Sequence, residues 1–277
     1  MFDIIYSFFG AILHFFYELF GNYGLAIIGF TFVVNVILLP LTWKQQKSTT
    51  KMQAIQPELT KIQEKYKNDK EKQSMEMMKL YQDNNINPMS GCLPLLIQLP
   101  IIFILYRIVY SPITHMLGYT AEQLAELKAA HPEVTGSMIE VALAAKAKLI
   151  NFDFFGFDMS QIPNINKISL LWLIPILAGI STYALSWLTM RQADARKTEE
   201  QKKKEKDNPA AGSMQTMNKI MPLITVFFAF SFSASIGLYW IMNNIFKMIQ
   251  QLAVNKILSK EDPLVIEQGG SKKKKKK

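Results

Sequence analysis

The apolar residues of this chain are gathered into blocks, with the charges set between them, and blocks of this length decide the architecture. A helix needs roughly 20 mostly apolar residues to cross a bilayer. Lipid offers no partner to a free backbone N–H or C=O, so helices are the expected spanning form. Residues 23–43, which include GLAIIGFTFVVNVILLPL, form one such block. Residues 91–110 form a second, with Pro94 and Pro100 inside it, and residues 168–190 a third. Residues 219–258 are nearly all apolar apart from a break at 231–237, which reads as a tight turn between two further spans. The pattern predicts an all-α integral membrane protein with five transmembrane helices.

Residues 1–22 are apolar and aromatic, carry Asp3 and Glu18, and contain neither Lys nor Arg. A secretory signal needs a basic start and a small-residue cleavage site. The expected form is an N-terminal amphipathic helix lying in the membrane interface, with an uncleaved signal anchor as the other reading.

Charge sets the orientation. Residues 44–87 hold nine lysines, residues 191–219 eight basic residues and residues 256–277 another eight. Residues 111–166 hold only Lys128, Lys146 and Lys148 against six acids. With five spans the three basic stretches fall on one side, and the positive-inside rule makes that side cytoplasmic. The N-terminus and residues 111–166 are then outside and the C-terminus inside. Four or six spans would divide the basic stretches. The net charge of +9 suits anionic lipid or RNA. Residues 259–277 read as a disordered basic tail ending in Lys272, Lys273, Lys274, Lys275, Lys276 and Lys277, whose mutual repulsion prevents a core. Anionic lipid and ribosomal RNA are both open as its ligand.

Within residues 44–87, Met52, Ile55, Leu59, Ile62 and Tyr66 recur at helical spacing and form a narrow apolar stripe. Pro57 suits the first turn of a helix restarting there, and Lys67-Asn68-Asp69 is a polar turn. The stretch from Lys70 to Gln82 carries Met75, Met77, Met78, Leu80 and Tyr81. The expectation is a cytoplasmic antiparallel helical hairpin. Its apolar residues either pack on one another or form an adaptable, Met-rich surface for apolar clients. Residues 191–218 form a second basic cytoplasmic loop, and residues 111–166 an extracytoplasmic segment peripheral to the mechanism, with an Ala-rich surface helix at 139–150.

Polar side chains inside the spans are costly and face a bundle interior or a wet cavity. Thr31 and Asn35 lie one turn apart on the first span, and Gln98 sits between the two prolines of the second. Tyr239, Trp240, Asn243 and Asn244 lie on the fifth. Tyr239 and Asn243 share a face that Lys247 extends toward the cytoplasm. Thr31, Asn35, Gln98, Tyr239, Trp240 and Asn243 are the candidate lining of a hydrophilic groove. Interhelical hydrogen-bonding is the alternative, and the preferred one for the Ser and Thr residues of the third span. Cys92 is the single cysteine, so no intrachain disulfide forms. His14, His115 and His131 lack metal-ligand spacing. No phosphate loop or nucleophile elbow occurs, and neither a metal nor a cofactor is implied.

Four stretches carry a family resemblance: VILLPLTWKQQKSTTKMQAIQPELTKIQEKYK from Val36, MMKLYQDNNINPMSGCLPLLIQLPIIFILY from Met77, KIMPLITVFFAFSFSASIGLYWIMNNIFKMIQQ from Lys219 and, more weakly, LLWLIPILAGISTYALSWLTMRQ from Leu170. They resemble the YidC/Oxa/Alb family of membrane-protein insertases, in its compact bacterial form. The resemblance implies a five-helix core with a groove open to cytoplasm and lipid, and a place in the bacterial cell membrane. It implies clients that are nascent membrane proteins, work alone or beside the Sec translocon, and ribosome contact through the basic tail. It also implies insertase and chaperone work without bond-making chemistry. Two positions depart from the family pattern. Asn35 stands where relatives usually hold a groove arginine, and residues 232–237 replace the usual Phe-Pro-x-Gly turn. A small-solute transporter or channel is the rival reading, although the chain shows no internal repeat and no paired mid-span charges. An intramembrane enzyme would want a cluster of acids, His or a nucleophile at depth, which is missing from the sequence.

Overall fold

The computed structural model describes residues 2–87, 93–136, 138–194 and 220–261. Among these the chain is mainly helical: α1 (Phe2–Phe20), α2 (Tyr23–Lys65), α3 (Lys70–Asp83), α4 (Leu93–Tyr110), α5 (Pro112–His115), α6 (Ala121–Ala130) and α7 (Ile139–Lys146). A two-stranded antiparallel hairpin follows, β1 (Asp153–Phe154) and β2 (Phe157–Asp158). A 3₁₀ turn (Leu170–Trp172) leads into α8 (Leu173–Asp194), and the described chain ends with α9 (Ile220–Ala229) and α10 (Ala234–Glu261).

Among the described residues three helical segments are long and apolar enough to cross a membrane, Asp3–Phe20, Tyr23–Met52 and Leu170–Gln192. Two shorter apolar stretches are also described, Gln98–Tyr110 within α4 and Ile220–Ala229. This differs from the sequence expectation at both ends. α1, expected in the interface, is itself long and apolar enough to span. α10, expected as the fifth span, does not reach that apolar density, because Asn243, Asn244, Lys247, Gln250 and Gln251 crowd its middle.

The described chain divides into two compact bodies. The first consists of Met1–Ile37, Ile97–Thr182 and Pro222–Phe246. Its core includes Leu13, Tyr23, Ile27 and Phe30 from the first two helices, Leu105 and Ile108 from α4, and Ile236 and Tyr239 from α10. The N-terminal amides of α10 are satisfied from a distant loop. Ala234 N–H donates to the Gln161 carbonyl at 2.8 Å and Ser235 N–H to that of Met159 at 3.2 Å, while Ser235 Oγ also donates to Met159 O at 2.6 Å. Such partners remove the cost of orphaned amides at a buried helix start. Gly237 and Gly179 allow close approach: a Cβ at the first would overlap Ile174, and at the second Val226.

In the same body α7 is not the surface helix expected of an Ala-rich stretch. Glu140, Val141, Leu143 and Ala144 are buried, and the Glu140 carboxylate accepts from Thr114 N–H at 2.9 Å and Thr114 Oγ1–H at 3.0 Å. This one acid caps α5, and Ala142 and Ala145 lie on the exposed side of α7. α6, by contrast, buries no residue.

The second body consists of the described residues of Leu38–Leu96, Tyr183–Met221 and Lys247–Lys277. The C-terminal part of α2 packs on α3 through buried Ile55, Leu59 and Ile86, with Met52, Met77, Leu80 and Tyr81 against them. Asp69 caps α3 by accepting from Lys72 N–H at 3.0 Å, and Gln73 Nε2 reaches back to the Gln63 carbonyl at 2.8 Å. The helix expected to restart at Pro57 instead runs through it, as it does through Pro40. Each proline costs one hydrogen bond. Packing of Ile55 and Leu59 on either side of Pro57 outweighs that loss.

Candidate functional site

Asn35, Gln98, Tyr239 and Asn243 come from three helices of the first body, and the fold joins them into one hydrogen-bonded run. Asn35 Nδ2 donates to the Thr31 carbonyl at 2.8 Å and to Asn243 Oδ1 at 3.2 Å. Asn243 Nδ2 donates to Gln98 Oε1 at 3.3 Å, and Gln98 Nε2 donates to Tyr239 Oη at 3.2 Å. Local periodicity explains the placement. Thr31 and Asn35 are separated by four residues on α2, and Tyr239 and Asn243 by four on α10, so each pair shares a face. Pro100 limits helical hydrogen-bonding beside Gln98 on α4.

The run has an inner and an outer end. Tyr239 and Asn243 are buried, whereas Asn35 and Gln98 are half-buried. The side-chain links of 3.2–3.3 Å are long against the usual 2.9–3.0 Å for N–H···O bonds. Neutral amides supply both donors and acceptors here, so the run can exchange partners without moving a fixed charge.

The remaining predicted residues fall outside it. Thr31 is fully buried, and its hydroxyl donates to Ile27 O at 2.6 Å within its own helix. Trp240 is half-buried, and no described hydrogen bond joins it to the run. In the helical hairpin, Ile55 and Leu59 are buried with Met52 and Met77 packed on them, which leaves Met78 exposed beside Met75. Lys272 to Lys277 lie outside the described residues.

Two further polar clusters lie outside the run, and the first is the interhelical bonding expected of the Ser and Thr residues of the third span. Asn244 Nδ2 donates to Ser181 Oγ at 3.0 Å and Thr182 Oγ1 at 2.9 Å, and both hydroxyls donate onward to Ala178 O at 2.9 Å. In the second body, buried Gln251 bonds Thr189 at 3.2 Å and Gln192 at 2.7 Å, and Gln250 bonds Thr42. The signal for the last pair was the Gln250-Gln251 doublet inside an apolar block. Among the described residues no group of acids, His and Cys could hold a metal.

The model of the family described as 60Kd inner membrane protein matches residues 15–261. The chain is 35% identical over 251 residues to the membrane protein insertase YidC of Clostridium perfringens, covering 88% of this chain and 84% of that protein. It is 31% identical over 248 residues to membrane protein insertase YidC 2 of Bacillus anthracis, covering 88% and 76%. It is 32% identical over 249 residues to the insertase YidC of Campylobacter jejuni, covering 90% of this chain but 37% of that longer protein. The match runs through α2, α4, α8, α9 and α10, the same helices that carry the amide run and its neighbours. The apolar helices and this match along nearly the whole length agree: the chain is a membrane protein of bacterial type and belongs to the 60Kd inner membrane protein family.

Proposed function

We propose that this protein inserts nascent membrane proteins into the bilayer and helps them fold, using the amide run as the wall of a hydrophilic groove. The observation that carries the reading is the Asn35–Asn243–Gln98–Tyr239 run, set among apolar helices and half-buried at its Asn35 end. The names of the relatives support insertion as the task. A charged residue at mid-membrane costs about 2.5–3.5 kcal/mol on the insertion scale. An amide wall lowers that barrier by exchanging hydrogen bonds with a client's polar segment while the client's apolar helix meets lipid. No bond is made or broken, so the role is that of a chaperone and not an enzyme.

The working topology has five spans, α2, α4, α8, α9 and α10, with the N-terminus outside and the C-terminus in the cytoplasm, as the lysine distribution favours. The hairpin of α2 and α3 is then cytoplasmic, and exposed Met75 and Met78 offer clients an adaptable apolar face. The lysine tail serves the ribosome or anionic lipid, and the Sec translocon is a partner in co-translational work.

Reconstitution in liposomes tests the groove. Asn35→Leu should lower insertion several-fold with folded yield kept, and Asn35→Arg should retain it. An active Leu variant beside a misfolded Arg variant would show that Asn35 only ties helices together. Solute flux without insertion would favour a channel.

A further inference from the structure

The β1–β2 hairpin ends in a turn that its sequence should disfavour. Phe155 (φ 52) and Gly156 (φ 83) both adopt positive φ, as a two-residue turn of mirror-image type requires. Asn or Asp normally precedes the glycine there, and a bulky residue at positive φ is strained. Phe155 is also 82% exposed, despite an edge contact with the Phe154 ring at 4.8 Å. The residue thus suits neither its backbone nor water.

Its surroundings say what it does suit. The hairpin base is tied to the start of α2: Asn22 Nδ2 donates to Asp153 O at 2.6 Å, Tyr23 N–H donates to Asn151 O at 3.1 Å, and the Tyr23 ring meets Phe152 edge-on at 4.9 Å. The hairpin tip lies beside Leu170, whose Cδ2 is within 3.9 Å of a Cβ built at Gly156. Tyr23 and Leu170 are the first residues of the membrane-length segments Tyr23–Met52 and Leu170–Gln192. The hairpin is therefore held where both segments begin. Exposed Ile165, Ile168 and Leu170 continue the apolar surface from the tip onto α8, where Leu173, Leu177 and Ile180 are exposed in turn. Trp172 stands at the same rim, its Nε1–H bonded to Asn164 O at 2.9 Å, an amphipathic ring of the kind that gathers at the headgroup level.

We propose that Phe155 is a lipid anchor: with Ile165, Ile168 and Leu170 it seats the β1–β2 hairpin in the headgroup–acyl boundary of the leaflet where α2 and α8 begin. The occupant of this apolar surface is the bilayer itself, because the surface is continuous with the exposed face of a membrane-length helix. Immersion of an aromatic ring offsets the turn strain and fixes the depth of the hairpin. The proposal does not depend on what the protein inserts.

The test uses the full chain in phosphatidylcholine–phosphatidylglycerol nanodiscs, in a Cys92→Ser background. A spin label at Phe155→Cys should show an oxygen-to-nickel-chelate accessibility ratio several-fold above that of a label at Glu126→Cys on α6, which buries nothing. A ratio equal to the α6 control overturns the proposal. So does spin–spin broadening between labelled copies, which would assign the surface to a second copy. A second variant separates anchoring from folding. Phe155→Asn suits the turn, so its unfolding midpoint in detergent should hold or rise, while a label at Ile168→Cys should lose part of its oxygen preference in lipid. A lower midpoint in detergent, or an unchanged Ile168 label, would give Phe155 only a local structural role.

Discussion

Asn243 and Asn244 are neighbours on α10, yet they serve different kinds of contact. Asn244 is buried and bonds two hydroxyls of α8 at 2.9–3.0 Å, and those hydroxyls pass their own protons to one carbonyl of the same helix. Every proton in that circuit has a fixed destination. Asn243 is as deeply buried but bonds only other amides, through links of 3.2–3.3 Å that end at half-buried Asn35 and Gln98. The interhelical links of 3.2–3.3 Å around Asn243 are longer, and so given up more readily, than the 2.9–3.0 Å bonds around Asn244. The difference teaches that mid-span polarity is not one property. A closed circuit fastens helices, and a loosely linked amide chain is suited to exchange.

The largest expected effect is on the exchanging side. Asn243→Ala should reduce insertion in proteoliposomes about tenfold, a change of about 1.4 kcal/mol, with little change in unfolding midpoint. Equal losses of folding and insertion would break the distinction. Next, Asn244→Ala should cost about 1 kcal/mol of stability, between the average of about 0.6 and the maximum of about 1.7 found for hydrogen bonds between membrane helices. Its insertion rate per folded molecule should be unchanged, as measured by activity normalised to folded protein. The smallest effect concerns pH. The hydrogen bonds described for the two circuits involve no ionisable side chain other than the Tyr239 hydroxyl, so the ratio of the two mutant effects should be the same at pH 5 and pH 7. Stability itself should fall slightly in both. Burial and nearby Arg107 hold the His115 imidazole below its usual range, against the opposing pull of Glu140 and Asp3. Its folded pKa lies below the unfolded one, so the unfolded chain binds the proton better. The stabilisation is complete above the unfolded value near 6.5 and is lost progressively below it, as pH falls through the lower folded value. His115→Gln should flatten that dependence in a melting series.

How much of this was legible in the sequence depended on the range of the cause. Apolar blocks and the spacing of Thr31, Asn35, Tyr239 and Asn243 are local, so the shared faces that bring Asn35, Asn243 and Tyr239 into one hydrogen-bonded run were readable on each of two helices. The separate role of Asn244 was not legible, because adjacent helical residues point about 100° apart and only the packing says which helix each one meets. The apolar stripe of Met52, Ile55 and Leu59 was readable, whereas the unbroken passage of α2 through Pro57 was not. A proline's local penalty is visible in sequence, but the packing of Ile55 and Leu59 on α3 that outweighs it is not. Glu140 was hidden in an Ala-rich stretch, since its value comes from Thr114, which is distant in sequence. The β1–β2 hairpin was not legible because Phe155 stands where Asn or Asp normally precedes the turn glycine.

The glycine contacts of α8 have a mechanical consequence. Ile174 of α8 fits against Gly237 of α10, and Val226 of α9 fits against Gly179 of α8, each where even one added carbon would collide. Sliding α8 by a single residue, about 1.5 Å, would carry Ile174 off its glycine and onto a neighbour that has a side chain. The seam therefore resists shear in both directions, like a pin in a socket. If the proposed groove opens to admit a client, the cheaper place to give way is where α2 and α4 meet α10 through amide links of 3.2–3.3 Å, with the glycine seam as the fixed side.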